Sequence, residues 1–299
     1  MADRDDSPRP DRLGEEPTSG PARPGDLSAA DARWLAWHEA RSHGLVGREV
    51  RELGDAVLLY DATDREPFWN RVAGIAWPSD PAAFDRRLAE MLALFAGLDR
   101  LPHVWPLPGF DEPADLADRL VANGFEDHGR GIMMVLDPPR TRLRLETPDA
   151  MAGLTVERLH RLSGDAATAA ATAIGEVLVA SFGVEPDRRV AIELEALQGL
   201  QLDAYHAVLV RIDGRPAAVA RRTSFAGASY LSSIGTHPDF RGRGLGRFVT
   251  SVAVADALAH GSRWTYLGVF EENGTARSMY EGLGFTMIGG PAPDLLLRP

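Results

Sequence analysis

The chain has 299 residues, of which 44% are hydrophobic and 25% are charged, and its net charge is −11 at pH 7. This length predicts two domains with their own cores. The acidic balance disfavours general binding to nucleic acid or to an anionic membrane, and it suits cationic substrates. No stretch approaches the roughly 18 apolar residues of a membrane span, and no apolar signal core opens the chain, so we expect a cytoplasmic protein.

The residue types also limit the chemistry. The absence of cysteine excludes disulfides, thiolate metal sites and a cysteine acyl-enzyme. The absence of lysine excludes Schiff-base catalysis by that residue. The eight histidines show neither an i, i+4 pair nor a His-Glu-x-x-His element, so we predict no metal site.

In chain order, residues 1–26 are rich in proline and charge and lack apolar periodicity, which predicts a disordered tail. Ser28 is a suitable N-cap for a helix through Ala40, and a strand should cover Val57 to Asp61. A second, core-facing helix is predicted by apolar residues at helical spacing, namely Phe84, Leu88, Met91, Leu92 and Phe95. Pro138-Pro139 and the Arg/Thr run after them mark a boundary between a domain at 27–140 and a domain at 145–299.

An internal repeat supports this division. Gly124-Phe125 and Gly284-Phe285 lie 160 positions apart, each preceded by a predicted helix and followed by an apolar strand. One interpretation is a duplication of one fold. The alternative is a common helix-end device, in which glycine caps the helix and an apolar residue packs beyond it.

The second domain begins with a predicted strand at Leu154 to Leu159, followed by two helices. Asp213-Gly214 lies between two apolar runs, which is a strong hairpin signal, and a second hairpin is expected at Ala226-Gly227. The remaining predicted elements are helices at Ala166 to Ser181, Arg188 to Leu200, Phe248 to Leu258 and Asn273 to Leu283, and strands at Tyr205 to Ile212, Pro216 to Ser224, Ala228 to Thr236, Trp264 to Val269 and Phe285 to Ile288.

The glycine-rich segment after Thr236 joins a strand to a helix. Its sequence is Arg-Gly-Arg-Gly-Leu-Gly-Arg, from Arg241 to Arg247. Glycine allows close approach of a ligand, and the free amides of a helix N-terminus attract anions. The spacing fits neither a Walker A loop nor the dinucleotide fingerprint, because no lysine is present and Arg247 replaces the third glycine. A pyrophosphate is the ligand that this turn predicts.

The pattern Arg-x-x-Gly-x-Gly, from Arg241 to Gly246, resembles the coenzyme A signature of the GNAT superfamily of N-acetyltransferases. The helix after it matches the family's Asn-x-x-Ala-x-x-x-Tyr-x-x-x-Gly-Phe at Asn273, Ala276, Tyr280, Gly284 and Phe285. The resemblance is specific over roughly sixty residues. It implies an α/β (α+β) fold with a mixed, mainly antiparallel sheet flanked by helices. Through the repeat, it implies two tandem domains of this kind, the first a degenerate copy without the acyl-CoA motif.

The resemblance also implies roles for individual residues. Backbone groups of Ile234, Gly235 and Thr236 would pair with the pantetheine arm of acetyl-CoA, and a backbone amide near Thr236 would face the thioester oxygen. Asn273 would steady the pantetheine, and Tyr280 would donate a proton to the departing thiolate. The amides and side chains that would bind the pyrophosphate are those of Arg241, Gly242, Arg243, Gly244, Leu245, Gly246 and Arg247.

The general base is not evident from the sequence. The family's glutamate on the strand before the turn has no counterpart between Tyr230 and Thr236. Glu271 and Glu272, His237 and ordered water remain alternatives. For the acceptor pocket, the first domain could supply aromatic residues, for which Trp69, Trp77, Trp105 and Phe110 are candidates, although these residues equally fit a core.

The sequence therefore predicts an acetyl-CoA-dependent N-acetyltransferase that joins acetyl-CoA and acceptor in one ternary complex. The acceptor would be a small-molecule amine or a protein N-terminus, in a monomer or a homodimer. The competing hypothesis is a non-catalytic acyl-CoA-binding sensor or interaction protein. The missing carboxylate favours the sensor, whereas Asn273 and Tyr280 favour catalysis.

Overall fold

Helices begin where the sequence supplies a cap. The structure is a computed structural model that describes residues 20–146 and 153–298. Ser28 caps the first helix, since its Oγ accepts the amide of Asp31 at 3.1 Å while the Asp31 carboxylate accepts the amide of Ser28 at 3.0 Å. Asp80 caps the second helix through the amide of Ala83 at 2.9 Å. The helices are α1 (Ala29–Gly44), α2 (Pro81–Gly97), α3 (Leu116–Ala122), α4 (Gly164–Phe182), α5 (Arg189–Leu200), α6 (Leu245–Ala259) and α7 (Gly274–Glu281).

Within the described residues, twelve strands form one mixed sheet. They are β1 (Glu49–Glu52), β2 (Val57–Tyr60), β3 (Arg71–Ala73), β4 (His103–Val104), β5 (Glu126–Leu136), β6 (Leu154–Leu159), β7 (Tyr205–Ile212), β8 (Arg215–Phe225), β9 (Ala228–Thr236), β10 (Trp264–Phe270), β11 (Phe285–Met287) and β12 (Ala292–Leu296). Their order is β1-β2-β3-β4-β12-β5-β10-β9-β8-β7-β6, with β11 beside β5. The β9–β10 and β3–β4 pairs are parallel and the other described pairs are antiparallel. The predicted fold class, a mixed sheet flanked by helices, is confirmed.

Both hairpins of the second half have the predicted turns. Asp213 and Gly214 have φ of 50° and 77°, and Ala226 and Gly227 have φ of 46° and 81°. Two successive left-handed residues are the type I′ geometry, which matches the twist of the flanking strands. The hairpins bring β7, β8 and β9 side by side in the register that positions the end of β9.

The two halves exchange their last strands. The later part of β5 lies between β10 and β11 of the second half, whereas β12 lies between β4 and the earlier part of β5. His103 on β4 contacts the carboxylate of Asp294 on β12, which ties the C-terminal strand to the first half. Residues 126–136 advanced by 160 become 286–296, which spans β11 and β12, so the offset of the internal repeat continues into the exchanged strands.

The predicted domain boundary and tail fall on segments with defined contacts. Beyond β5, the backbone of Asp137 and Arg142 bonds to the Gly284 and Leu283 carbonyls. Residues 1–19 and 147–152 lie outside the described residues. The rest of the expected tail is folded: the amide of Ala22 donates to the carbonyl of Arg263 at 2.9 Å, and Pro24–Asp26 forms a 3-10 helix.

Apolar side chains cover both faces of the sheet. One core lies between the sheet and α6 and α7, and it includes Phe248, Val249 and Tyr280. A second lies under α4 and α5, and the first half has its own core under α2. Among the described helices, α4 alone has the length and apolar composition to cross a membrane, and it packs Ile174, Val177 and Leu178 into the second of these cores.

Candidate active site

A gap opens between β9 and β10. Their parallel ladder ends at the pair Leu231 and Leu267. Beyond it, Gly268 to Phe270 pair with β5 on the other side, while β9 continues to Thr236. A bulge accompanies the divergence: the β8–β9 register shifts, and Ser233 has φ of 49°. The edge of β9 from Ile234 to Thr236 therefore has backbone groups with no strand paired to them on this side.

The glycine turn lies at the end of this gap. Gly242 and Gly244 have φ of 75° and 76°, a conformation that strongly favours glycine. The amide of Phe248 makes the first bond of α6, to the carbonyl of Gly244 at 3.0 Å. The amides of Leu245, Gly246 and Arg247 are consequently left without helical partners. They carry the positive end of the helix dipole toward the turn.

Three arginines surround these amides. Arg241 donates to the carbonyl of Ser181 at 2.8 Å, Arg247 to that of Gly282 at 2.5 Å and Arg243 to that of Asp239 at 3.5 Å. None of the three forms an ion pair with a carboxylate in the described ranges; the carboxylate of Asp239 is bound by Arg215 at 2.7 Å. Their charges are thus held in place by carbonyl groups and remain available to an anion.

A cavity of about 640 Å³ connects the turn to the gap. It brings together every predicted site residue except Arg243, which lies outside its lining. The lining residues are Ser181, Phe182, Ile234, Gly235, Thr236, Phe240, Arg241, Gly242, Gly244, Leu245, Gly246, Arg247, Asn273, Thr275, Ala276, Met279 and Tyr280. The cavity is large enough for a long ligand, and its polar end at the glycine turn suits a charged group of that ligand.

Tyr280 lines the cavity. It lies in the last turn of α7, is only 5% exposed, and its ring meets that of Phe285 edge-on at 6.0 Å. Burial raises the pKa of its phenol, so the hydroxyl keeps its proton at neutral pH. The side chain of Asn273 caps the same helix, because its Oδ1 accepts the amide of Ala276 at 3.2 Å. The amide nitrogen of that side chain forms no hydrogen bond within the described residues and can donate to a ligand.

The predicted acetyl-CoA contacts included no residue of α4. Ser181 and Phe182, its last residues, line the cavity, and Phe182 is 55% exposed. Gly235 makes their approach possible, since a Cβ there would lie 2.4 Å from the Ser181 Oγ. The sequence signal for this contact was a large aromatic residue, Phe182, at the end of a predicted helix. None of the three candidate base residues Glu271, Glu272 and His237 lines this cavity.

A second, smaller cavity of about 70 Å³ lies between the halves, around Gly268 where the β9–β10 ladder has opened. From the first half it receives Glu39, Trp105 and Asp111. Trp105 is the one aromatic candidate of the first half that lines it, and its indole covers Gly131, where a Cβ would lie 2.4 Å from the ring. Trp77 is buried in the core of the first half, as the alternative interpretation had it.

The two carboxylates of this cavity differ in character. Asp111 is 9% exposed and accepts the amides of Ile75 at 3.0 Å and Leu107 at 2.9 Å. Burial outweighs these bonds and raises the pKa of Asp111 to about 7. Burial would raise the pKa of Glu39 too, but Arg71, 2.5 Å away, and His43 lower it to about 2. Glu39 is thus a fixed negative charge, whereas Asp111 can exchange a proton near neutral pH.

The comparisons with known proteins agree with this geometry. The fold is shared with a GCN5-related N-acetyltransferase from Kribbella flavida, at 25% identity and a TM-score of 0.63 over 90% of this chain and 96% of that one. It is also shared with a tandem GNAT protein from the clavulanic acid biosynthesis pathway, at 15% identity and a TM-score of 0.60 over 90% and 96% of the two chains. A GCN5-related N-acetyltransferase from Sphaerobacter thermophilus is similar at 18% identity and a TM-score of 0.56 over 94% and 95%.

One family model matches the second half of the chain. Residues 172–285 match the model of the Acetyltransferase (GNAT) family. The resemblance drawn from the Arg241 and Asn273 motifs is thereby confirmed. No curated protein matches the chain.

Proposed function

We propose that this protein is an acetyl-CoA-dependent N-acetyltransferase that transfers the acetyl group directly to an amine within a ternary complex. One observation carries the proposal: the cavity joins the free amides of α6 at one end to the open β9–β10 gap and Tyr280 at the other. This is the shape that a pyrophosphate followed by an extended pantetheine arm requires.

The residues fit acetyl-CoA as a substrate. The amides from Gly242 to Arg247 and the arginines without carboxylate partners suit the pyrophosphate charge. The free edge of β9 at Ile234, Gly235 and Thr236 offers backbone groups to the two amides of the arm, as an added strand would. Bound there, acetyl-CoA supplies an activated thioester. The proposed reaction uses no metal ion.

Tyr280 would deliver a proton from its hydroxyl to the sulfur that leaves. The raised pKa keeps the phenol protonated but also makes it a weaker acid than a tyrosine in water. The same burial disfavours a thiolate, so the pKa values of donor and acceptor rise together and the transfer stays balanced. A backbone amide at the β9 bulge would stabilise the charge that develops on the carbonyl oxygen.

The acceptor would enter from the inter-half cavity around Gly268. Its carboxylates attract a cation, and a cavity of about 70 Å³ admits a slender amine-bearing chain, as in a small-molecule amine or a protein N-terminus. Asp111 can accept a proton from the ammonium at neutral pH, because its pKa is about 7. We place this activity in the cytoplasm, in a monomer or a homodimer.

The test is thiol release from acetyl-CoA across a panel of amines, comparing wild type with Tyr280→Phe. The protein has no cysteine, so the thiol signal comes from coenzyme A alone. We expect amine-dependent release that falls about 10²- to 10⁴-fold in Tyr280→Phe, with acetyl-CoA binding unchanged by calorimetry. Tyr60→Phe is the matched control and should retain full activity, since Tyr60 ends β2 away from both cavities.

Two results would contradict the proposal. Tight acetyl-CoA binding without turnover on any amine would indicate the sensor. Absence of acetyl-CoA binding would refute the assignment of the glycine turn.

A further inference from the structure

Arg222 is a buried cation with no anionic partner. It lies on β8, opposite His206 of β7, and is only 5% exposed. The other buried arginines that line the sheet are paired: Arg71 with Glu39, and Arg221 with Glu195. Arg222 forms no ion pair with any carboxylate in the described ranges, and its one side-chain bond goes to the hydroxyl of Ser224.

The neighbours of Arg222 do not offset its charge. Ser224 continues into a chain of hydroxyls, with Ser229 at 2.5 Å and Ser262 another 2.7 Å away. Hydroxyls solvate a cation but cannot neutralise it. Burial accordingly lowers the pKa of Arg222, with only the charge of Asp256 opposing the shift. A buried charge without a partner costs several kcal/mol in general, so its retention in a folded protein calls for a ligand.

A cavity of about 270 Å³ lies directly over Arg222. Its floor is made of small apolar side chains of the sheet and of α6, among them Ala207, Ala220 and Ala253. Its polar lining consists of Arg158, His160, His206, Arg222 and Asp256. The lining of this cavity shares no residue with that of the acetyl-CoA cavity, and Asp256 lies about 16 Å along α6 from Leu245, at 1.5 Å per residue.

The uncompensated charge in the lining is positive, which favours the binding of an anion. Arg158 and Asp256 bind each other at 3.0 Å and cancel. His160 and His206 stack with their ring centres 4.1 Å apart, and burial, together with Arg222, lowers the pKa of His206 to about 4. That ring is therefore neutral at pH 7 and can still donate a hydrogen bond. Arg222 is then the uncompensated charge that an incoming ligand meets.

We propose that this cavity is a second ligand site, which binds the carboxylate or phosphate group of a small molecule through Arg222 and the imidazole of His206. A planar guanidinium is suited to pair with either oxyanion through two parallel hydrogen bonds. The site does not depend on the proposed acetyl transfer, because none of its residues lines the acetyl-CoA cavity.

The experiment is a titration at pH 7 with inorganic phosphate and, separately, with succinate, followed by NMR of the histidine Cε1–H resonances. Single His→Gln variants assign the signals of His160, His206 and His237. We expect saturable shifts of His206 and His160 at millimolar concentration or below. His237, which lines neither cavity, is the control resonance and should not shift in parallel with His206. The anion that saturates the His206 shift at the lower concentration identifies the anionic group of the ligand as a phosphate or a carboxylate.

Arg222→Met tests the residue itself. It should weaken the binding at least tenfold while leaving the unfolding temperature equal to or above that of wild type, because it removes an uncompensated charge. Arg211→Met, on β7 and paired with Glu157, is the matched loss of an arginine and should leave the His206 shifts unchanged. The proposal is overturned if wild-type His206 does not shift with either anion up to 50 mM, or if it shifts equally in Arg222→Met. The wild-type titration decides the first point even if a variant fails to fold.

Discussion

The Nδ1 atom of His38 lies 2.7 Å from the hydroxyl oxygen of Tyr266, and this contact joins the first helix to β10, a central strand of the sheet. The Nε2 atom faces the carbonyl of Phe225 at 3.2 Å, so that nitrogen carries the proton and Nδ1 accepts from the tyrosine. Burial lowers the pKa of His38 to about 3, and the ring is therefore neutral. The two halves are connected here by a buried hydrogen bond between neutral groups.

We expect Tyr266→Phe to lower the free energy of unfolding by about 1–3 kcal/mol, because it leaves a buried imidazole nitrogen without a donor. Urea denaturation measures the change. Tyr60→Phe, at the partly exposed end of β2, is the control and should change stability by less than about 0.5 kcal/mol. Equal stability of Tyr266→Phe and wild type would show that the bond contributes nothing.

Gly235→Ala should displace β9 from α4. The new Cβ would lie 2.4 Å from the Oγ and 3.2 Å from the Cβ of Ser181, and such overpacking costs about 1–3 kcal/mol. Acetyl-CoA binding should weaken as well, since Gly235 lines its cavity. The partner variant Ser181→Gly removes both contacts. The double mutant should therefore lose at least about 1 kcal/mol less free energy of unfolding than the two single variants lose in sum. Strict additivity in denaturation would contradict the steric argument.

Arg241→Gln should raise the Kd for acetyl-CoA about 10- to 100-fold, the effect of losing a hydrogen bond to a charged group. It should also make the affinity less sensitive to salt, because one charge of the pyrophosphate site is removed. Calorimetry at two ionic strengths measures both. Arg277→Gln, which changes a partly exposed arginine of α7 paired with Glu281, should change neither quantity.

Asp111 should make the stability fall as the pH rises. Its pKa is 3.8 in an unfolded chain and about 7 in the folded protein. Between these values the folded state holds a proton that the unfolded state has released, so the free energy of unfolding decreases with pH. Its stabilising contribution is complete below about pH 4 and is lost as the pH passes 7.

The comparison with Asp111→Asn isolates this group. His38 and His206, with pKa values of about 3 and about 4, give the opposite slope over the same range, but they do so in both proteins. The difference in unfolding free energy, wild type minus variant, should decrease by about 3 kcal/mol from pH 4 to pH 7.5. A difference that stays constant with pH would mean that Asp111 titrates normally.

Removal of residues 292–299 should unfold the first half, although these residues lie at the other end of the chain. The deletion takes away the fully buried Leu295 and removes the strand that lies between β4 and the earlier part of β5. Hydrogen exchange should show lost protection in β4 and in residues 126–130 of β5, whereas the later part of β5 keeps β10 and β11 as neighbours. A truncated protein in which residues 126–130 stay protected would contradict this assignment of the C-terminal strand.

Much of the second half could be predicted because its signals are local. Asp213-Gly214 specifies a turn, the glycines after Thr236 specify a helix entrance, and the two motifs fix where the cavity lies. Ser28 gave the start of α1 for the same reason.

What the sequence did not reveal depends on contacts between distant residues. The strands β3 and β4 have three and two residues, too short for a period-2 pattern, and β12 contains Pro293 and Asp294. Arg222 resembles its neighbour Arg221 in the sequence, and only the folded structure distinguishes the paired arginine from the unpaired one. Likewise, Asp111 becomes a titrating group only because distant segments bury it.

The exchange of β5 and β12 has the form of a domain-swapped dimer written into one polypeptide. A half-length ancestor that folded in this manner would have needed two copies, each lending its last strand to the other. In a single chain the exchange is permanent, and each half depends on a strand that the other half supplies. It follows that neither half contains its complete sheet, because the neighbours of β5 and of β12 lie in the opposite halves.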